Sequence, residues 1–228
     1  LPARRKALIR AVVQKQRDVG SVDVIAGKGE GTTFLLYGPP GTGKTLTAEA
    51  MAEALHKPLY VLSAGEMGTT PQELEATLAD ALRLCSRWDC LCLIDEADIF
   101  LEQRSGSDIL RNALVCVMLR QLEYHPGVLF LTTNKVRGID AAIQSRLTLA
   151  LKYAPLDERG RAEIWAGLLA RLGLSGPFDC AALARTATNG RQIKNCVRLA
   201  MALALAEGVD LSQRMREDTL QIVHPFKT

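Results

Sequence analysis

The sequence predicts an α/β protein, a doubly wound parallel sheet of five strands followed by a small helical domain at the C-terminus. Three observations carry this reading. Short apolar runs recur at residues 34–37, 59–63, 90–95, 128–132 and 147–153, with helical patterns between them. The run at 90–94, Cys-Leu-Cys-Leu-Ile, is apolar throughout rather than alternating, as a strand buried on both faces requires. After Pro155 the strand patterns stop and only helical ones continue.

Taken in order, residues 1–19 are rich in Arg and Lys, with apolar Leu8, Ile9, Val12 and Val13. They read as an amphipathic helix leading into the core. The first strand, 34–37, runs into a Gly/Pro turn and then a helix over 46–55. Pro71 opens a further helix, Ser107 or Asp108 caps another that runs to Glu123, and His125-Pro126-Gly127 breaks that one before the next strand. Beyond Pro155, helical patterns cover 157–172, 179–186, 192–207 and, more weakly, 213–223. The expected division is an α/β domain over 1–154 and a small helical domain over 155–228. No internal repeat or low-complexity segment interrupts it.

Composition narrows the functional classes. The 228 residues suffice to bury a sizeable core, and 28 Lys+Arg against 25 Asp+Glu leave a net charge of +3. That balance gives no argument for a nucleic-acid or membrane surface. No apolar run approaches bilayer length, and no signal peptide is evident. The start at Leu1, without Met, fits an excised fragment whose targeting segment is lost. Six cysteines form no Cys-x-x-Cys pair and read as small buried hydrophobes of an intracellular reducing compartment such as cytosol, nucleus or mitochondrial matrix. His56, His125 and His224 are scattered singly, which argues against a zinc site.

The chemistry is concentrated in three segments. Gly38-Pro39-Pro40-Gly41-Thr42-Gly43-Lys44-Thr45 lies between an apolar strand and the helix beginning near Leu46. Strand, Gly-rich turn and helix form a phosphate cradle, in which the amides of residues 41–45 turn inward and the helix N-terminus adds its positive end. Lys44 then reaches the β/γ-phosphates and the Thr45 hydroxyl can ligate Mg²⁺, so a nucleoside triphosphate is the expected ligand. The second segment ends the 90–95 strand in Asp95-Glu96-Ala97-Asp98, at the C-terminal end where open parallel sheets place ligands. Asp95 is placed to hold the metal shell and Glu96 to polarise an attacking water. Asp98 reads as an N-cap or a solvated charge. The third segment, Asn134-Lys135-Val136-Arg137, begins like a guanine-reading Asn-Lys-x-Asp but lacks the Asp, which favours ATP over GTP.

These segments, in this order, resemble the AAA+ ATPases, a P-loop NTPase group, over almost the whole chain. GPPGTGKT matches Walker A, LCLIDEADIF matches Walker B, and LFLTTN ends in Asn134 at the place of sensor 1. The resemblance implies that Asn134 orients the lytic water near the γ-phosphate. Residues 139–146 resemble the arginine-finger segment. The AAA subgroup proper ends it in two arginines separated by Pro-Gly, whereas here only Arg146 is present, in a Ser-Arg arrangement closer to clamp loaders. Asn189-Gly190-Arg191 resembles sensor 2, which implies that Arg191 reaches the nucleotide from a helical lid. As a cation in a first helical turn it otherwise lacks an anion. Residues 24–29 resemble the segment that packs on adenine, which adds Ile25 and Ala26 to the nucleotide-binding set of Gly38, Pro40, Gly41, Thr42, Gly43, Lys44, Thr45 and Leu46. Several of these stretches are also similar to uncharacterised AAA-type ATPases of filamentous fungi.

The function implied is Mg²⁺-dependent ATP hydrolysis in a homo-oligomeric ring, such as a hexamer, coupled to remodelling of a protein client. The alternative is an ATP-gated assembly or interaction module with slow hydrolysis. Small-molecule kinase chemistry is disfavoured by Glu96 beside Asp95, the finger segment and the helical lid. Rings that thread polypeptide carry an aromatic, an apolar residue and Gly in a loop that here reads Glu66-Met67-Gly68. An acid at the grip position favours a non-threading remodeller.

Overall fold

In the computed structural model the residues described are 3–15, 31–106, 108–173, 178–208 and 219. Cα proximity divides the chain into two compact units: Leu1–Pro39 with Lys44–Tyr153, and Pro40–Gly43 with Ala154–Thr228.

The first unit is built on five parallel strands: β1 (Thr32–Tyr37), β2 (Leu59–Ser63), β3 (Leu91–Asp95), β4 (Val128–Thr133) and β5 (Leu149–Lys152), in the order β2-β3-β4-β1-β5. Side chains alternate faces along a strand, so the apolar runs of β1, β3 and β4 feed two separate cores. Leu35, Cys92, Ile94, Leu129 and Leu131 face α3 (Pro71–Trp88) and α5 (Ile109–Tyr124), joining Leu74, Leu78, Val115 and Met118. Phe34, Leu36, Leu93 and Phe130 lie on the other face with Ala48 and Met51 of α2 (Lys44–Leu55) and Ile9 and Val13 of α1 (Ala3–Lys15). There the Phe34 and Phe130 rings stack with centroids 4.8 Å apart. Full burial of each such side chain is worth about 1.5–3 kcal/mol, which is why the runs carry no polar residue until their ends.

Helix starts follow their caps. Thr70 accepts from Glu73 N–H ahead of Pro71, and Asp108 accepts from Arg111 N–H ahead of α5. Of the two expected caps for α5, Asp108 serves; Ser107 lies outside the described residues. Two short helices, α4 (Asp98–Leu101) and α6 (Ala141–Gln144), follow β3 and β4. Ala97, not Asp98, is the N-cap of α4, so the N-cap reading of Asp98 is corrected. The fifth strand is shorter than its apolar run, 149–152 rather than 147–153, with Thr148 and Tyr153 each still donating one backbone N–H to β1 at its two ends.

Residues 64–70 hold a feature that composition alone did not give. A 3-10 turn, Ala64–Met67, is closed by Glu66, whose carboxylate accepts the Ser63 N–H at 2.8 Å. Met67 is fully buried against the α3 side of the core.

The second unit contains α7 (Glu158–Arg171), α8 (Cys180–Ala184) and α9 (Gly190–Glu207) around Trp165, Leu183, Ile193, Cys196 and Val197. Its helices are capped by Asp157, Asp179 and Asn189. The expected helix over 213–223 lies outside the described residues, Thr219 excepted. No helix among the described residues is long and apolar enough to cross a membrane.

Candidate functional site at the strand tips

The site grows from the C-terminal ends of β1, β3 and β4. β1 ends at Tyr37, and Gly38 follows with φ +144° in a place where a Cβ would stand 2.2 Å from the Tyr153 carbonyl oxygen. Only glycine fits both the angle and the space. The chain then turns so that Lys44 and Thr45 open α2, placing backbone N–H groups and the positive helix end at the loop. Lys44 is buried, and its ammonium donates to the carbonyls of Gly38 (2.8 Å) and Pro39 (2.9 Å) and to Asn134 Oδ1 (2.8 Å). Three acceptors match its three protons, so the cation is held in place before any anion arrives.

β3 delivers the acids. Thr45 Oγ1 donates to Asp95 Oδ1 at 2.9 Å, and the Thr132 hydroxyl of neighbouring β4 donates to the same oxygen. Thr132 Oγ1 in turn accepts the Glu96 N–H at 2.9 Å, and its carbonyl accepts Ala97 N–H at 2.9 Å. These bonds hold Glu96 at φ +56°, a left-handed conformation that costs a non-glycine residue about 1 kcal/mol or more. The turn leaves the Glu96 side chain exposed, off the strand and free to meet a water.

β4 delivers Asn134. Its backbone N–H donates to Asp98 Oδ1 at 3.1 Å, and the hydroxyl of buried Thr133 donates to that same oxygen. Lys44, Thr45, Asp95, Glu96 and Asn134, all picked from the sequence, thus converge on one end of the sheet.

The remaining candidates stand apart. Arg146 donates to the Ala142 carbonyl (3.0 Å) and to Glu123 Oε2 (3.1 Å). Asp140, the partner that sequence proximity suggests, instead caps α6 through Ala142 N–H (2.9 Å) and pairs with Arg104 (2.9 Å). Glu123 lies just before β4 and Arg146 just before β5, where Thr148 N–H bonds the Thr33 carbonyl at 2.9 Å. Arg146 therefore sits at the N-terminal ends of the strands, on the order of 13 Å of β1 away from the tips. Within the second unit, Gly190 N–H donates to the Gly41 carbonyl at 2.9 Å, and the next residue, Arg191, is exposed in the first turn of α9. No acid accompanies it in that turn. Pro40, Thr42 and Gly43 complete the loop, Gly43 with open space around its α-carbon. Leu46 is 63% exposed on α2, a large apolar side chain free for a ligand. Ile25 and Ala26 lie outside the described residues.

Thr132 and Thr133 were not singled out in the sequence, and Asp98 was given no part in the site. The available signal was two adjacent hydroxyl residues closing an otherwise apolar buried run.

Thr45 and Asp95 offer two hard oxygens 2.9 Å apart, which suit Mg²⁺ completed by phosphate and water. No group of three or more His, Cys, Asp or Glu among the described residues could hold a metal alone.

A model of the ATPase family associated with various cellular activities (AAA) matches residues 34–153. The ATPase family AAA domain-containing protein 3A homolog of Drosophila melanogaster is 33% identical over 142 residues, covering 59% of this chain and 24% of that protein. The ATP-dependent zinc metalloprotease FtsH 2 of Symbiobacterium thermophilum is 28% identical over 192 residues, covering 76% of this chain and 32% of that protein. The outer mitochondrial transmembrane helix translocase of Danio rerio is 29% identical over 157 residues, covering 64% and 40%. The chain thus spans a minority of the length of these relatives. The family match takes in the strand tips where Lys44, Asp95 and Asn134 meet, and it covers more than half the sequence: the chain belongs to the AAA family of ATPases.

Proposed function

We propose that the chain hydrolyses ATP with Mg²⁺, working in an oligomer that remodels a protein or protein complex. The observation that carries this reading is the pair of hydrogen-bonded chains Lys44–Asn134 and Thr45–Asp95–Thr132–Glu96, side by side at the tips of three parallel strands. In it the loop amides and Lys44 bind phosphates, Thr45 and Asp95 would hold Mg²⁺, Glu96 takes a proton from the attacking water, and Asn134 orients that water. Bound Mg²⁺ supplies charge neutralisation at the phosphate oxygens. Ile25, Ala26 and Leu46 are assigned to the base and sugar. Residues 155–228 are assigned as the helical lid, with Arg191 as its nucleotide-sensing residue.

Oligomerisation is supported by Arg146, which stands at the opposite end of its own sheet from the cradle and so has a neighbouring subunit's nucleotide as its target. A homo-oligomeric ring, such as a hexamer, satisfies that geometry. Within the remodelling class, burial of Met67 favours a mechanism without polypeptide threading, since the apolar side chain of this loop is not offered to a client and its exposed neighbour Glu66 is an acid. Six cysteines without a disulfide support a reducing compartment.

Steady-state ATPase measurement tests the reading. Native chain turns over ATP only with Mg²⁺. Glu96→Gln keeps nucleotide affinity while turnover drops by roughly 10²–10⁴-fold, the usual contribution of a general base. Lys44→Ala weakens ATP binding by about 10²-fold or more through loss of charge-assisted bonds. Tight binding with no native turnover would leave the ATP-gated assembly module as the function.

A further inference from the structure

We infer that Asp98 is a positioning residue for ATP hydrolysis, holding Asn134 at the end of β4 through a three-point lock. The inference rests on the ATPase reading above and concerns a residue to which the sequence assigned no role in the reaction.

Asp98 is half-buried at the first position of α4, directly after the turn that carries Asp95 and Glu96. A single carboxylate oxygen, Oδ1, accepts from the Thr133 hydroxyl, from Asn134 N–H at 3.1 Å and, more weakly, from Lys135 N–H at 3.4 Å. Lys135 N–H also donates to Thr133 Oγ1 at 3.0 Å. β4 ends at Thr133, so beyond that point ladder pairing no longer fixes the backbone. The lock takes over where the ladder stops. It fixes the residue whose Oδ1 holds Lys44, and whose amide nitrogen has no hydrogen-bond partner among the described residues. That NH₂ group is the donor available to a water or phosphate oxygen. The α4 turn bearing the water-activating acid and the strand tip bearing the water-orienting amide are thereby tied into one rigid piece. Neither of the other readings of Asp98 fits: Ala97 holds the N-cap position, and a solvated charge would not collect three donors.

All three bonds use Oδ1, which an asparagine also possesses. This separates positioning from charge. Asp98→Asn is expected to keep turnover within about threefold, whereas Asp98→Ala loses roughly 10–100-fold in kcat, the scale of a misplaced reacting group. ATP affinity changes far less than kcat in both, because Lys44 keeps the Gly38 and Pro39 carbonyls and the loop itself is untouched. Thr133→Val, which keeps the strand's shape, breaks the lock from the other side and lowers kcat on the same scale as Asp98→Ala. A residue that acts through Asn134 has nothing left to lose once Asn134 is gone. Accordingly, Asp98→Ala in an Asn134→Ala background causes no further fall in kcat.

Hydrogen exchange at the Asn134 and Lys135 amides provides a readout independent of turnover, and it speeds up in Asp98→Ala but not in Asp98→Asn. The inference is overturned by native-like kcat in Asp98→Ala, by losses that multiply in the double variant, by an Asp98→Asn variant as impaired as Asp98→Ala, or by unchanged amide exchange. Absence of turnover in the native chain would instead sink the ATPase reading, and exchange would still decide whether the lock exists.

Discussion

The two ends of β4 are chemically opposite. At its C-terminal end the buried hydroxyls of Thr132 and Thr133 both have acceptors, Thr132 on Asp95 and Thr133 on Asp98, which also receives the Asn134 N–H. Just before its N-terminal end, His125 is 6% exposed and neither ring nitrogen has a hydrogen-bond partner. Burial alone pushes its pKa down to about 4. In a parallel sheet every strand enters a loop at the same edge, so polar side chains from several strands can converge there and satisfy one another. At the opposite edge helices run back into strands and a polar group is met singly. Arg146 belongs to that second edge, its guanidinium donating to Glu123 and the Ala142 carbonyl. A cation paired so economically can change partners when a stronger anion is presented.

The largest effect expected of this contrast is at Arg146. If the second edge of one subunit serves the first edge of another, Arg146→Ala lowers turnover by roughly 10³–10⁵-fold, as loss of an arginine finger does. Subunits carrying Arg146→Ala have sound cradles, and those carrying Glu96→Gln can donate a finger. A mixture should therefore hydrolyse ATP faster than either variant alone, and native specific activity should rise with concentration. Native-like turnover by Arg146→Ala, or activity per subunit that is flat down to monomer, breaks the contrast. The paired-surface alternative predicts a change under about 1 kcal/mol in stability and little in rate.

An intermediate effect is expected at the first edge. Thr132→Val removes a donor to Asp95 and an acceptor for the Glu96 N–H, losing two part-buried hydrogen bonds at a cost of about 1 kcal/mol each. Thermal unfolding should register that loss, and kcat should fall with it because Glu96 is released from its left-handed turn. A variant with lowered stability and native kcat would mean that the turn is held by something other than Thr132.

The smallest effect on activity, and a specific one on stability, belongs to His125. Its folded-state pKa is depressed from 6.5 to about 4, so the neutral form is the folded one. Above pH 6.5 both states are neutral and nothing is lost. As pH falls from about 6.5 toward 4 the unfolded chain binds the proton first, and stability drops by up to about 3 kcal/mol. Melting temperature followed from pH 7.5 to 4.5 should fall more steeply for the native chain than for His125→Phe, while turnover at pH 7.5 is the same in both. Equal slopes would mean that the imidazole finds a partner.

Much of the site was legible because its spacing is local. Gly38 to Thr45 must follow a strand and open a helix, and Asp95-Glu96 must end a buried run; each is a statement about a dozen contiguous residues. Asn134 was reached by the same logic. Its support was not, since Asp98 and Thr133 are 35 residues apart and meet only because β3 and β4 are neighbours in the sheet. The Arg146 partner was not legible for the same reason. Asp140 is near in sequence, yet its carboxylate is already used by the Ala142 amide and Arg104, and Glu123 is brought up by the helix leading into β4.

By itself, then, the sequence determined the five strands, the phosphate loop and the acids, because periodicity, glycine geometry and strand termination act over neighbouring residues. Strand order, and with it which oxygens hold Lys44, which hydroxyl braces Asp95 and which edge Arg146 occupies, was decided by tertiary structure. The Lys44–Asn134, Thr132–Asp95 and Arg146–Glu123 contacts join side chains separated by tens of residues, and their pairing follows from burying two apolar faces of one sheet at once.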